Sequence, residues 1–193
     1  MKPNPLSGRG YALEEAYFSK LQTRQLERIR EEGHREQLRR ELGAELAIDD
    51  SRLLDSLIER GITIDTAAAF EALPMVEVAW ADGEIDSRER RRVLALATAL
   101  GLELGRAAHA QLELWLRQKP EEELFEAWYE FAAVGLAGPG PAARVQRALE
   151  GALEVANASG GVLGLWTVSG SERAAIDRIR GALGETPPSA EPN

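Results

Sequence analysis

Between Tyr11 and Glu32 the chain has no proline or glycine, and Leu, Glu, Gln and Arg dominate, so this stretch is predicted to be helical. Its apolar positions make a thin stripe of Leu13, Tyr17 and Leu21, with Phe18, Leu26 and Ile29 beside it. The stripe fades into Arg30 to Gln37, which carries no apolar side chain. A helix so polar over its second half is poorly explained by burial in its own domain. The pattern predicts a projecting helix that offers Tyr17, Phe18, Leu26 and Ile29 to a partner. It spans about Tyr11 to Leu42, with Gly33 as a weak point and Gly43 as its end.

The remaining periodicity predicts further helices and no period-two strand. Asp49, Asp50 or Ser51 caps one that runs to Arg60 and stops at Gly61; Asp65 or Thr66 opens another that reaches Ala81 and is kinked by Pro74. Others span Asp86 to Leu100, Leu104 to Gln118, Pro120 to Val134, Pro141 to Ser159 and Ser171 to Leu183. Gly160 to Gly170 reads as a loop carrying Trp166, and Glu185 to Asn193, with three prolines, as a disordered tail. The expected fold class is all-α: residues 1–45 as the projecting helix, 46–184 as a helical domain and 185–193 as tail.

A degenerate repeat runs through that domain. Val76-Glu-Val-Ala-Trp-Ala-Asp-Gly83 aligns with Leu153-Glu-Val-Ala-Asn-Ala-Ser-Gly160, and Asp86 with Glu89 aligns with Ser169 with Glu172. Two helix-loop-helix copies predict two packed helical hairpins related by pseudo-symmetry.

Composition narrows the function classes. The chain has 193 residues, a net charge of −9 and no cysteine, which disfavours nucleic-acid or anionic-membrane surfaces and removes disulfides, thiolate metal sites and cysteine nucleophiles. No apolar run suggests a signal core or a membrane span, so the expectation is a soluble, cytoplasmic, non-enzymatic protein. His34 and His109 have no serine or carboxylate at a spacing that makes a triad, and no phosphate-cradling loop follows a strand. Trp80, Trp115, Trp128 and Trp166 read as core or domain-interface residues, Trp166 being the one best placed to face a partner, and Arg88 with Arg90 to Arg92 as a solvated face.

The loop Ala81-Asp-Gly-Glu-Ile-Asp-Ser-Arg-Glu89 carries the sharpest chemistry. It matches the latter half of a calcium-binding EF-hand loop, but Val78 and Trp80 occupy earlier ligand positions and cannot coordinate calcium. Asp86 and Glu89 suit a capping box, and Gly83 suits the residue just past a helix end. Asp82 and Glu84 remain outside that explanation. The loop therefore carries two readings: helix capping alone, or a divalent-cation site formed by Asp82, Glu84, Asp86 and Glu89.

Two resemblances add to this. The order Arg9, Ala12, Glu14, Glu15, Tyr17, Phe18, Gln25, Leu26 and Ile29 resembles the inhibitory segment of the mitochondrial ATPase inhibitor family. The resemblance implies a helix that wedges into a catalytic interface of a rotary ATPase, with Tyr17, Phe18, Leu26 and Ile29 burying apolar area and Glu14, Glu15 and Gln25 at the rim. The family's histidine cluster is reduced to His34 beside Gly33, so its pH switching is not implied. Residues 74–102, with Val78, Ala79, Ala81 to Asp86, Glu89 and the Leu-Gly-Leu of 100–102, look like the TerB family associated with tellurite resistance. That resemblance, extended over about residues 50–184, implies a TerB-like bundle and a divalent cation such as calcium at the acidic loop. Asn157 and Ser159 in the second copy speak against a two-site arrangement. The expected partner is thus a protein, a rotary ATPase in the concrete case. The alternatives are a stress-associated cation-binding protein and a scaffold that forms a homo-oligomer through its first helix.

Overall fold

The computed structural model describes residues 5–99, 105–138, 140–159 and 170–182, with side chains from Phe18 onward except at 88, 106, 157–159, 170–173 and 176. Every regular element in these residues is a helix: α1 (Pro5–Leu46), α2 (Ser51–Glu59), α3 (Ala67–Glu71), α4 (Leu73–Ala79), α5 (Ser87–Ala99), α6 (Arg106–Trp115), α7 (Glu122–Ala137), α8 (Ala142–Ser159) and α9 (Gly170–Ala182). No described helix is long and apolar enough to cross a membrane. The chain divides into two compact units, Met1–Arg40 and Glu41–Asn193.

The first unit is the greater part of α1, one unbroken helix. Gly33 does not interrupt it. A Cβ there would meet nothing, and the flanking i,i+4 charges include Arg28 and Glu32 at 3.5 Å.

In the second unit the last turns of α1 contribute Leu42 and Leu46 to the core. Gly43 does not end the helix as its sequence context predicts. It lies inside the final turn, where a Cβ would stand 2.8 Å from the Ile48 carbonyl oxygen and 3.1 Å from Leu54 Cδ1. The stop comes four residues later. Ala47 takes φ 55°, and the Ile48 amide donates to the Gly43 carbonyl at 3.0 Å, the closure that ends a helix on a left-handed residue. Arg144 of α8 adds a hydrogen bond to the Glu45 carbonyl at 2.8 Å, which satisfies one of the carbonyls a helix end leaves open.

Asp50 caps α2 by accepting from the Arg52 and Leu53 amides at 2.9 and 3.1 Å, and Gly61 follows the helix at φ +78°. The segment from Thr66 to Ala79 is two short helices, not one kinked helix. Pro74 falls in the first turn of α4, where its missing N–H costs nothing, so the chain breaks at Ala72 and restarts. Pro120 likewise stands ahead of α7, whose N-cap is Glu121.

Around this frame α4 lies along α8, and each of the two also meets both α5 and α9. α7 packs against α2, α4 and α8, and α3 against α6. The aromatic centre is Phe70, Phe131 and Trp128, each at most 1% exposed, with edge-to-face ring pairs at 5.5 and 6.3 Å. Trp115 is buried as well, and its carbonyl accepts the indole N–H of Trp80 at 2.8 Å.

Two substitutions test this packing. Phe131→Ala should cost about 3–5 kcal/mol in urea unfolding, because it removes the ring shared by two aromatic contacts. Ala47→Gly should raise the free energy of unfolding by about 1 kcal/mol, because it relieves a left-handed conformation that disfavours a Cβ.

Candidate partner-binding site

Helix geometry places Phe18, Leu21, Gln25 and Ile29 on one face of α1, with Gln22 among them and Leu26 on its flank. Arg24 and Arg28 border the Leu21 edge, and Arg30 borders the Leu26 edge. Phe18 is 54% exposed, Leu26 54% and Ile29 61%, and every residue from Phe18 to Gln37 is classed as exposed. Half of the exposed large hydrophobic side chains among the described residues lie between Phe18 and Ile29. Single exposed apolar residues are ordinary on protein surfaces; a clustered stripe is the feature that marks an interface. Glu14, Glu15 and Tyr17 belong to the same helix, but their side chains lie outside the described residues.

The acidic loop is built as a helix junction. Gly83 takes φ +93° after α4, and the Glu84 amide donates to Asp82 Oδ1 at 3.2 Å. The Glu89 amide donates to Asp86 Oδ1 at 2.8 Å while the Asp86 amide donates to Glu89 Oε2 at 2.9 Å, a reciprocal capping box that opens α5. Two of the four candidate carboxylates thus accept from backbone amides at a helix N-terminus, where the helix dipole also favours negative charge. No group of three or more His, Asp or Glu side chains among the described residues is placed to hold a metal ion. Ser169 and Trp166 lie outside the described residues, as does the side chain of Glu172.

Two glutamates that the sequence patterns do not single out are buried. Glu71 is 4% exposed and pairs with Arg144 at 2.9 Å; Glu77 is 6% exposed and accepts a 2.7 Å hydrogen bond from the Tyr129 hydroxyl. Arg178 Nη2 stands 2.6 Å from Glu77 Oε1, an ion-pair contact outside hydrogen-bonding angles. Arg178 also reaches Glu122 at 3.0 Å and lies over the Tyr129 ring at 5.8 Å. Burial pushes both carboxyls above their ordinary range, opposed at Glu77 by the Tyr129 hydroxyl and Arg178, and at Glu71 by Arg144. The one signal that could have exposed Glu77 is its place in the otherwise apolar run Leu73 to Trp80. These networks tie α4 to α7 and α9, and α3 to α8. His109 is a surface residue 3.6 Å from Glu113 on its own helix.

The comparisons with known proteins return no match among family models, curated proteins or solved structures.

Two measurements check this assignment. Asp86→Ala should destabilise the protein by about 0.5–2 kcal/mol through loss of the cap, by the same amount in calcium and in chelator. A larger loss in calcium would restore the cation reading. For Glu77 the folded carboxyl keeps its proton to a higher pH than the unfolded chain, whose ordinary value is 4.5. The folded state therefore binds more protons between the two values, and this contribution to stability is lost as pH rises through the window. Urea midpoints of Glu77→Gln should accordingly improve relative to the native chain as pH is raised from about 4 to 7.

Proposed function

We propose that the protein is a non-enzymatic regulator whose first helix binds a protein partner, and that this partner is a rotary ATPase whose ATP hydrolysis it inhibits. The observation that carries the reading is the exposure of Phe18, Leu21, Leu26 and Ile29 along one continuous helix. A pre-formed amphipathic helix that enters a hydrophobic groove gains affinity from such anchors and needs little from the domain behind it. The order Glu14, Glu15, Tyr17, Phe18, Gln25, Leu26, Ile29 supports an ATPase interface as the groove, through its resemblance to the mitochondrial inhibitor segment.

The domain behind is proposed to be a TerB-like pair of helical hairpins. Exchanging α4 with α8 and α5 with α9 leaves their pattern of contacts unchanged, as a duplicated hairpin requires, and this supports the reading. The copies differ where Glu77 is buried and its counterpart Glu154 is exposed. A cation-binding function draws no support from the loop, whose Asp86 and Glu89 are engaged in capping.

The test is ATP hydrolysis by an isolated rotary ATPase titrated with the full chain. Inhibition is expected, weakened at least tenfold by Leu26→Glu with Ile29→Glu, since a tenfold loss corresponds to only about 1.4 kcal/mol of contact energy. Unchanged turnover at high protein concentration, or equal potency of the double variant, would contradict the proposal.

A further inference from the structure

The second unit carries an apolar groove that plays no part in the reading above. It is about 940 Å³ and lies between α7 and α9. It is lined by Tyr129, Ala133, Leu136, Ala137, Gly181 and Ala182, with Glu126 and Glu130 on the α7 side and Arg178, paired with Glu77 and Glu122, on the α9 side. Leu136, on this lining, is 38% exposed, so the groove shows apolar surface near the end of α7.

Two features say what kind of group fits. The first is small size along both walls. Ala133 and Ala137 are one turn apart on α7, and Gly181 faces them from α9. A Cβ added at Gly181 would meet nothing, and its φ is not left-handed. Neither packing nor backbone conformation within the chain therefore asks for glycine there, although glycine in a helix costs about 1 kcal/mol relative to alanine. Small residues on both walls let another helix approach closely. The second feature is charge. From Glu122 to Ala137 α7 carries Glu122, Glu123, Glu126 and Glu130 and no basic residue.

The chain itself contains a segment with the opposite character. Residues 18–30 of α1 carry Lys20, Arg24, Arg28 and Arg30 against the single acid Glu27, and these arginines border the exposed stripe of Phe18, Leu21, Leu26 and Ile29. An apolar ridge edged with arginine matches the α7 edge of the groove, where Glu126 and Glu130 stand, while the charge of Arg178 on the α9 side is already met by Glu77 and Glu122.

We propose that the α7–α9 groove receives residues 18–30 of α1 from a second copy of this chain, giving a self-associated form held by two reciprocal helix-in-groove contacts. In that form Leu21 and Leu26 seat against Ala133, Leu136 and Gly181, and Arg24 and Arg28 meet Glu126 and Glu130. Exchange of the same contact in both directions closes the pair by two-fold symmetry, which stops further growth. Self-association then covers the stripe assigned to the ATPase partner and competes with it. The groove contact does not depend on that reading, because its test contains no ATPase.

Light scattering on the full chain, from about 1 to 200 μM, reads the proposal directly. A rise from the 21.1 kDa monomer toward twice that mass is expected, stronger at low than at high salt. Leu136→Glu should return the protein to a monomer over the whole range. Glu126→Arg with Glu130→Arg should do the same. These exposed substitutions leave the core untouched, and a helical spectrum and cooperative melt confirm the fold. Mixing this double variant with a chain carrying Arg24→Glu and Arg28→Glu should restore association between the two, although each alone is monomeric. A monomer at every concentration overturns the proposal, as does association unchanged by Leu136→Glu or a charge-reversed pair that fails to recombine. A native chain that stays monomeric throughout yet inhibits the ATPase would sink this inference alone. The opposite result would sink the inhibitor reading alone.

Discussion

The last turn of α1 is the point where the helical core takes hold of the N-terminal helix. Leu42 and Leu46 are buried, Gly43 lies against the Ile48 carbonyl and Leu54, and Arg144 binds the Glu45 carbonyl. These contacts fix the end of α1 from several directions, through apolar burial, a close backbone approach and a capped carbonyl. A side chain larger than glycine at position 43 would push into backbone, not into a flexible side chain. Upstream of this anchor the character of the helix changes. From Phe18 to Gln37 every position is exposed, and the apolar residues among them cluster on one face. A helix held at one end with an apolar stripe elsewhere is the physical basis of the proposed function.

Within the second unit, polar chemistry is used for positioning. Glu71 and Glu77 are carboxylates held inside a core, a costly placement unless each is paired. Arg144 answers one; Tyr129 and Arg178 answer the other. Removing a single partner would leave a buried charge uncompensated, whereas the pairs together tie α3, α4, α7, α8 and α9 into one arrangement. Arg178 also lies at the wall of the α7–α9 groove, so the network that orders α9 shapes that surface as well.

Much of the helix pattern was legible in the residues. Asp50 caps, the Asp86–Glu89 box, Gly61 and Gly83 all act as their local chemistry predicts, because a cap or a left-handed glycine depends on its immediate neighbours alone. The departures arise where tertiary contacts intervene. Gly43 reads as a stop but serves a close approach to a segment beyond it. Pro74 reads as a kink but starts a helix. Glu77 sits in a run whose apolar spacing marks burial, yet nothing local names Arg178, a hundred residues away, as its partner. The groove was invisible for the same reason: its walls belong to helices that are distant in the chain.

The central proposal is that the stripe on α1 seats in a cleft of a rotary ATPase. Hydrogen exchange of the full chain, with and without that enzyme, probes it at the residues concerned. Strong added protection of the amides from Phe18 to Arg30, with little change in α2 to α8, is the predicted result; identical exchange of that segment with and without saturating enzyme would contradict the account.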